Sequence, residues 1–497
     1  MNNLTSKNCK LKTIHGQLSV QILLYGALAI ILLSGFLLWA NTMINAAVRN
    51  ENNEQAFEIS EAGVEYYRWH LAHAPQDFQD GTGHPGPYIH SYYDKSGNLI
   101  GQFSLDITPP PQGSTLVIIK STGTVTADPT VSKIIQVKMG IPSFAQYATV
   151  SNSDIRFGQG TEVFGPIYSN GGIRFDGLAH NIVSSALSAY NDPDHSGNQE
   201  FGVHTHVNIP PLTGENDTFR PLEAPPNPVM NRSDVFMAGR QFPVPAVDFT
   251  GITSNLNQMK SDAQSNGIYI GPSNAQGYHI IFKTDGTFDL YKVNSVLSSP
   301  NGCVSVLGEQ NWGTWTIKSE QFVKNYNFPA DNLIFVEDNL WVEGQINNAR
   351  LTIGVARFPE NSAKWPQIII NNNLLYSNFN GQDSLGLISQ GDIDVGLQSA
   401  DTLTIDGALV AQNGRVGRFY YRAGYNNQPR CNPYAIRSTI NLYGMIMSNQ
   451  RYGFAYTDGT GYQNRNITYD SNLLYNPPPD FPLTSTTYQI ISWDELK

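Results

Sequence analysis

The sequence predicts a mainly β protein. One long N-terminal helix, apolar enough to cross a membrane, leads into a small β module, and a right-handed parallel β-helix-like domain with an insertion follows. Three observations predict this. Residues 22–40 read ILLYGALAIILLSGFLLWA, and no side chain between Lys12 and Arg49 is formally charged. Charged residues are only 14 % of the 497, against 44 glycines, 29 prolines and 11 % aromatics, which is the composition of turn-rich β structure. From Phe144 onward, short apolar-polar runs alternate with glycine turns, as in SNGGIRFDG at 169–177.

The helix comes first. The 19 residues 22–40 make about 28 Å of helix, which matches a bilayer core. Lys7, Lys10 and Lys12 precede them, so the leader 1–16 is expected in the cytoplasm and the bulk of the chain outside the membrane. The apolar run is long for a secretory signal and no A-x-A site follows it, which favours a retained anchor over cleavage. From 45 to 74 there is no proline and one glycine, Gly63. Ala56, Ile59, Gly63, Tyr66 or Tyr67, and His70 or Leu71 recur at three-to-four spacing, with Glu51, Glu54, Glu58, Glu61, Glu65 and Arg68 between them. Pro75 ends the run. The expected helix segment is 17–75, about 85 Å long from Gln17 to His73, with its membrane span at about 20–40.

The β module is expected over 76–142. Tyr92-Tyr93 and Leu99-Ile100 flank Asp94-Lys95-Ser96-Gly97-Asn98, a hairpin turn. Residues 115–127 and 132–141 read as two strands joined at Asp128-Pro129. The head, 143–497, repeats its short runs at intervals of mostly about 15 to 20 residues, which suggests stacked coils, with a β-sandwich or barrel as the alternative. In LTIDGALVAQ the inward candidates are Leu403, Ile405 and Leu409. The pattern breaks at about 187–330, read as an insertion holding a surface helix near Ile252–Ser265 and a hairpin, 279–283 and 287–293, around Thr284-Asp285-Gly286.

The segment AFEISEAGVEYYRWHL, 56–71, behind an apolar half resembles the N-terminal helix of PilX-like minor pilins of the type IV pilus system. The resemblance covers about the first 75 residues. It implies cleavage of the Gly16–Gln17 bond, a β-rich head behind the helix, and other pilins as partners. Such pilins carry glutamate at the fifth mature position, where this chain has Gln21. Glutamine accepts a hydrogen bond but cannot neutralise a neighbouring subunit's terminal amine, so the resemblance implies a minor or tip subunit rather than a major one. The stretch 143–177 and the terminal YQIISWDELK also resemble heads found behind PilX-like helices in uncharacterised bacterial surface proteins, for which no catalytic residues are established.

The net charge of −11, without a long basic run after the N-terminus, gives nucleic-acid binding no electrostatic support. Cys9, Cys303 and Cys431 form no metal or disulfide framework; in an exported head Cys303 and Cys431 either pair or stay as buried thiols. In NDPDHSGNQE, Asp192, Asp194, Ser196 and Glu200 occupy positions 1, 3, 5 and 9 of a calcium-loop pattern, with Gly197 at 6, but Val203 stands where the bidentate glutamate belongs. The alternative is a solvated turn. His204 and His206 share one face of a strand, with His180 and His195 near enough in sequence to join them on zinc or nickel; hydrogen-bonded surface histidines are the alternative. Asp392, Asp394 and Asp406 are the carboxylates a polysaccharide-cleaving β-helix would use as acid and base, and otherwise plain turn residues. Tyrosines and tryptophans in GRFYYRAGY, 417–425, and NWGTWTI, 311–317, suit either a sugar-stacking surface or packing. The expectation is a structural or adhesive, surface-displayed protein and not an enzyme; the alternatives are a membrane-anchored β-helix enzyme acting on polysaccharide and a surface scaffold unrelated to pili. It has no cofactor beyond possible calcium, and its partners are a membrane, other pilins and a surface glycan or protein.

Overall fold

The computed structural model describes residues 15–110, 114–208, 218–249 and 252–496. Most of the leader expected over 1–16, with Lys7, Lys10 and Lys12, lies outside the described residues. The chain divides into two compact units, Met1–Thr108 with Ile118–Val137 and Ser492–Lys497, and Pro109–Val117 with Lys138–Ile491.

The first unit is built on α1, His15–His73, 59 residues and about 88 Å long. Its character changes along its length. Leu18, Leu23, Ile31, Leu38 and Val48 are all half or more exposed, on every side of the helix. From Asn52 one face is buried, with Ala56, Ile59, Ser60, Val64, Tyr67 and Leu71 at most 2 % exposed. It is the described helix long and apolar enough to cross a membrane.

The buried half of α1 packs on a five-stranded sheet. In spatial order the strands are Tyr88–Tyr93, Leu99–Thr108, Val117–Val125, Asp128–Gly140 and Gln489–Leu496. The first two form an antiparallel hairpin. Asp94 accepts the backbone N–H groups of Ser96 and Asn98 across its turn, and Gly97 takes the left-handed φ of 83° the turn requires. Gly123 lies where any side chain would strike the helix backbone at Ala56 and Ser60. Two sequence expectations are corrected here. The connection between the two long strands is Thr126-Ala127, and Asp128-Pro129 already belongs to the second. The module 76–142 also lacked its fifth strand, which comes from the chain's C-terminal end, where Lys133 pairs with Glu495 at 2.6 Å and Trp493 meets Phe57 edge-on.

The second unit is a mostly β body with many parallel strands, arranged in parallel ladders. Along the longest ladder the order is Ile268–Ile270, Leu333–Val336, Arg350–Val355, Ser384–Ser389, the ends of Thr402–Ala411 and Ile436–Ser448, then Thr149–Ser151, Ile167–Ser169, Val183–Ser185 and Arg240–Gln241. Chain order and stacking order therefore differ. The first strand in sequence, at 149, enters mid-stack against Ile446–Ser448. The chain reaches one end at Gln241 and resumes at the other at Ile268. Nine inter-strand gaps make about 43 Å between those ends, and α2, Ile252–Ser265, falls between them in the chain.

Alternate residues of this ladder face two cores. Ile334, Val336, Leu351, Ile353, Leu387, Leu409 and Ile446 point into the main core with Leu403 and Ile405. Leu333, Phe335, Ile388, Val410, Met445 and Met447 point outward and are covered by Leu256, Met259 and Ala263 of α2 and by Phe144, Leu473 and Phe481. Both faces are apolar for that reason. Polar side chains stack at the corners: Asn170 donates to Asn152 and Asn152 to Asn449, at 2.7 and 2.9 Å. Residues 268–282, inside the expected insertion, instead belong to the ladders, since Ile268–Ile270 pairs with Leu333–Val336 and Gly277–Phe282 with Leu340–Ile346, all parallel. From Gly277–Phe282 the sheet continues antiparallel through Thr287–Val296 and Ile317–Asn327. A disulfide joins Cys303 to Cys431.

Candidate functional site

Within the second unit, residues 187–206 leave the ladders, turn back and rejoin them. Ala189–Tyr190 pairs antiparallel with Glu200–Phe201, and Val203–His204 pairs parallel with Ile173–Phe175. The loop between the first two strands brings His195 over Glu200, and the strand leaving them carries His204 and His206 to the same place. Asp192, Glu200, His204 and His206 are at most 4 % exposed, and the His195 side chain is as deeply covered.

One donor atom each of Asp192, His195, Glu200 and His206 lies within 4.8 Å of all the others. Nε2 of His195 stands 3.0 Å from Oε2 of Glu200 and 3.5 Å from Oδ2 of Asp192. Nε2 of His206 is 3.2 Å from Oε1 of Glu200. Nε2 of His204 faces the same two carboxylates, at 3.3 Å from Glu200 and 3.5 Å from Asp192, yet neither it nor Oδ2 of Asp192 makes a well-directed hydrogen bond. Burial alone raises both carboxyls. For Asp192, His204 and the N–H of Asp194 outweigh it; for Glu200, His206, His204 and the N–H of Arg220 do, so both are held below the usual carboxylate range.

A second layer holds these groups. Nδ1 of His195 lies 3.2 Å from the Ser196 carbonyl, and Nδ1 of His204 lies 3.3 Å from that of Phe201. A carbonyl only accepts, so each contact places a proton on Nδ1. Asp176 accepts the His206 N–H at 2.7 Å and the Arg174 Nε–H at 2.6 Å, while Nη1 of Arg174 approaches Asp192 to 3.6 Å. The Arg220 N–H donates to Glu200 at 2.8 Å.

The residues of the calcium pattern part company here. Asp192 and Glu200 converge, but Asp194 turns away to Arg451 at 2.5 and 2.8 Å and to Arg156 at 3.2 Å, and Ser196 is exposed. Alternate spacing in sequence therefore does not wrap one ion here. Nor does His180 join the other imidazoles: it pairs with Glu162 at 2.7 Å and stacks on Phe164. No local motif marks Asp176, Arg174 or Arg220, which act from a neighbouring strand and from loops.

The other candidates separate as well. Asp394 is fully buried with neither oxygen hydrogen-bonded, and burial pushes its carboxyl well above the ordinary range. Asp392 is half-buried and accepts the Arg415 N–H at 2.8 Å. Asp406 is buried and accepts the Tyr376 N–H at 2.9 Å. A cavity of about 610 Å³ is lined by Asp194, Arg156, Arg415, Arg451, Tyr456 and Arg465. Its arginines are engaged by Asp194, by Glu309 at 2.8 Å from Arg415, and by backbone carbonyls around Arg465. The aromatic runs pack: Phe419 and Tyr421 join the Cys303–Cys431 disulfide in a small core flanked by Trp312 and Trp315. Gln21 is exposed on α1, and Gly16 and Gln17 lie in its first turn.

No protein-family profile matches the chain, and no curated protein matches it. Among solved structures, the chain is similar to the crystal structure of the competence-associated pilin ComZ from Thermus thermophilus. The match has 14 % identity and covers 90 % of this chain and 98 % of that one, with a TM-score of 0.30. A likeness that loose carries no argument about fold or function.

Proposed function

We propose that this chain is a membrane-anchored display protein of the pilin-like type. The first half of α1 holds it in a membrane, and the β-rich body is carried on the extracytoplasmic side, as a minor subunit of a type IV pilus-like assembly or at the cell surface. The observation that carries the reading is the change of character along α1. From Leu18 to Val48 it offers apolar surface in every direction, which suits a bilayer or a bundle of like helices and not water. From Ala56 on it has a single buried face. The Cys303–Cys431 disulfide supports the same placement, because such bonds persist in oxidising compartments. Lys7, Lys10 and Lys12 ahead of the apolar run favour a cytoplasmic N-terminus.

The resemblance of 56–71 to PilX-like minor pilins supports a pilus rather than a solitary anchor, and Gln21 fits a subunit present in few copies. The parallel ladders we read as coils of a right-handed β-helix, whose long faces would meet a surface glycan or protein. The intact mass of the chain purified from its native membrane tests the reading. A mature chain starting at Gln17 is expected. One starting beyond Ala40 has lost its anchor and overturns the proposal, and one retaining Met1 keeps the anchor but removes the pilus.

A further inference from the structure

We propose that Asp192, His195, Glu200 and His206, with His204 beside them, form a closed structural site for a divalent transition metal of the zinc class. In this role the metal would clamp the 187–206 excursion onto the parallel ladders.

Four features of the geometry lead there. First, the four converging donors are two carboxylates and two imidazoles, a mixed oxygen and nitrogen set that suits zinc and its neighbours; calcium takes oxygen donors and seldom imidazole. Second, the spacing fits. Donors held about 2.0–2.1 Å from a tetrahedral zinc stand about 3.3–3.4 Å apart along each edge. The contacts of His195 with Glu200 and Asp192, and of His206 with Glu200, run from 3.0 to 3.5 Å, and the other pairs of the four need only a modest contraction from within 4.8 Å.

Third, the site leaves polar atoms unsatisfied. Nε2 of His204 and Oδ2 of Asp192 are buried, face one another and lack a directed hydrogen bond. The two atoms lie 3.5 Å apart, and a cation between them would give both a partner. Fourth, two carboxylates are buried side by side, and the nearest guanidinium, on Arg174, is shared between Asp176 at 2.6 Å and Asp192 at 3.6 Å, which leaves a negative charge that a divalent ion would balance.

Burial of the whole set decides the role. Catalytic zinc keeps a position open to water or substrate, whereas a structural ion is enclosed by protein. Such an ion would join the loop at 192–195, the strand Glu200–Phe201 and the rejoining strand, a segment with few layers of its own to hold it. The inference is independent of the membrane reading, because it rests only on the second unit.

The test uses the untagged full chain in detergent, stripped with a chelator and dialysed against zinc chloride, calcium chloride or neither. Elemental analysis of the zinc sample is expected to return about one zinc per chain, with a raised unfolding temperature. X-ray absorption is expected to show nitrogen and oxygen ligands at about 2.0–2.1 Å with imidazole scattering. The His195→Gln/His206→Gln variant is expected to lose the zinc and the temperature shift while keeping the wild-type circular dichroism. Because the absorption spectrum is read on the wild-type chain, the result does not depend on the variant folding. Substoichiometric zinc with no shift, zinc retained in full by the variant, or calcium bound in preference to zinc would each overturn the proposal.

Discussion

Replacing Asp406 by asparagine should stabilise the body at neutral pH and do so less as the pH falls. Asp406 lies in the strand Thr402–Ala411 beside Tyr443, 2 % exposed, and accepts the Tyr376 N–H at 2.9 Å. Burial, helped by the nearby Asp470, raises its carboxyl from the ordinary 3.8 to about 6. The folded chain thus holds the proton more tightly than the unfolded chain, and stability drains away as the pH rises from about 4 through 6. A shift of about two units corresponds to about 3 kcal/mol, fully lost at pH 8 and about half lost near pH 5. Asparagine is neutral at every pH, and its carbonyl oxygen still accepts from Tyr376. Urea unfolding of the detergent-solubilised chain, followed by tryptophan fluorescence, should therefore show the variant more stable by about 3 kcal/mol at pH 8 and by about 1.5 kcal/mol at pH 5. A variant no more stable than the wild type at pH 8, or an advantage equal at both pH values, would refute the reasoning.

Other substitutions probe the remaining supports. Gly123→Ala forces a methyl into the backbone of α1 at Ala56 and Ser60, and should cost about 1–3 kcal/mol, read as faster hydrogen exchange across 56–71 with the 333–448 strands unchanged. Cys303→Ser/Cys431→Ser removes a cross-link between residues 128 positions apart and should lower stability by about 2–5 kcal/mol; the same loss should follow reduction of the wild-type chain. Leu409→Ala opens a hole in the main core, where the side chain is fully buried, and should cost about 2–5 kcal/mol by urea unfolding.

Local pattern made some of this legible. The change from an apolar run to three-to-four spacing announced α1, and the Ile252–Ser265 helix and the Asp94–Asn98 turn were readable because capping, glycine and periodicity act over a few residues. Leu403, Ile405 and Leu409 read as inward because alternation along a strand fixes the face. Contacts between distant parts of the chain were not legible. Nothing local says that Gln489–Leu496 returns to a sheet begun at Tyr88, or that Thr149 stacks on Ile446. The same limit divided the candidate site. Asp192 and Glu200 belonged to one motif and His204 and His206 to another, and only the antiparallel return at 189–201 merges them, while Asp194 goes to Arg451, more than 250 residues away in sequence.

The most direct test of the central claim is topological. Membranes from cells making the native chain are washed with alkaline carbonate, and protease is added to intact spheroplasts. The account predicts that the chain stays in the carbonate pellet and that external protease removes the β-rich body while leaving a membrane fragment that contains 18–48. A chain released into the carbonate wash, or a body protected until the spheroplasts are lysed, would contradict it.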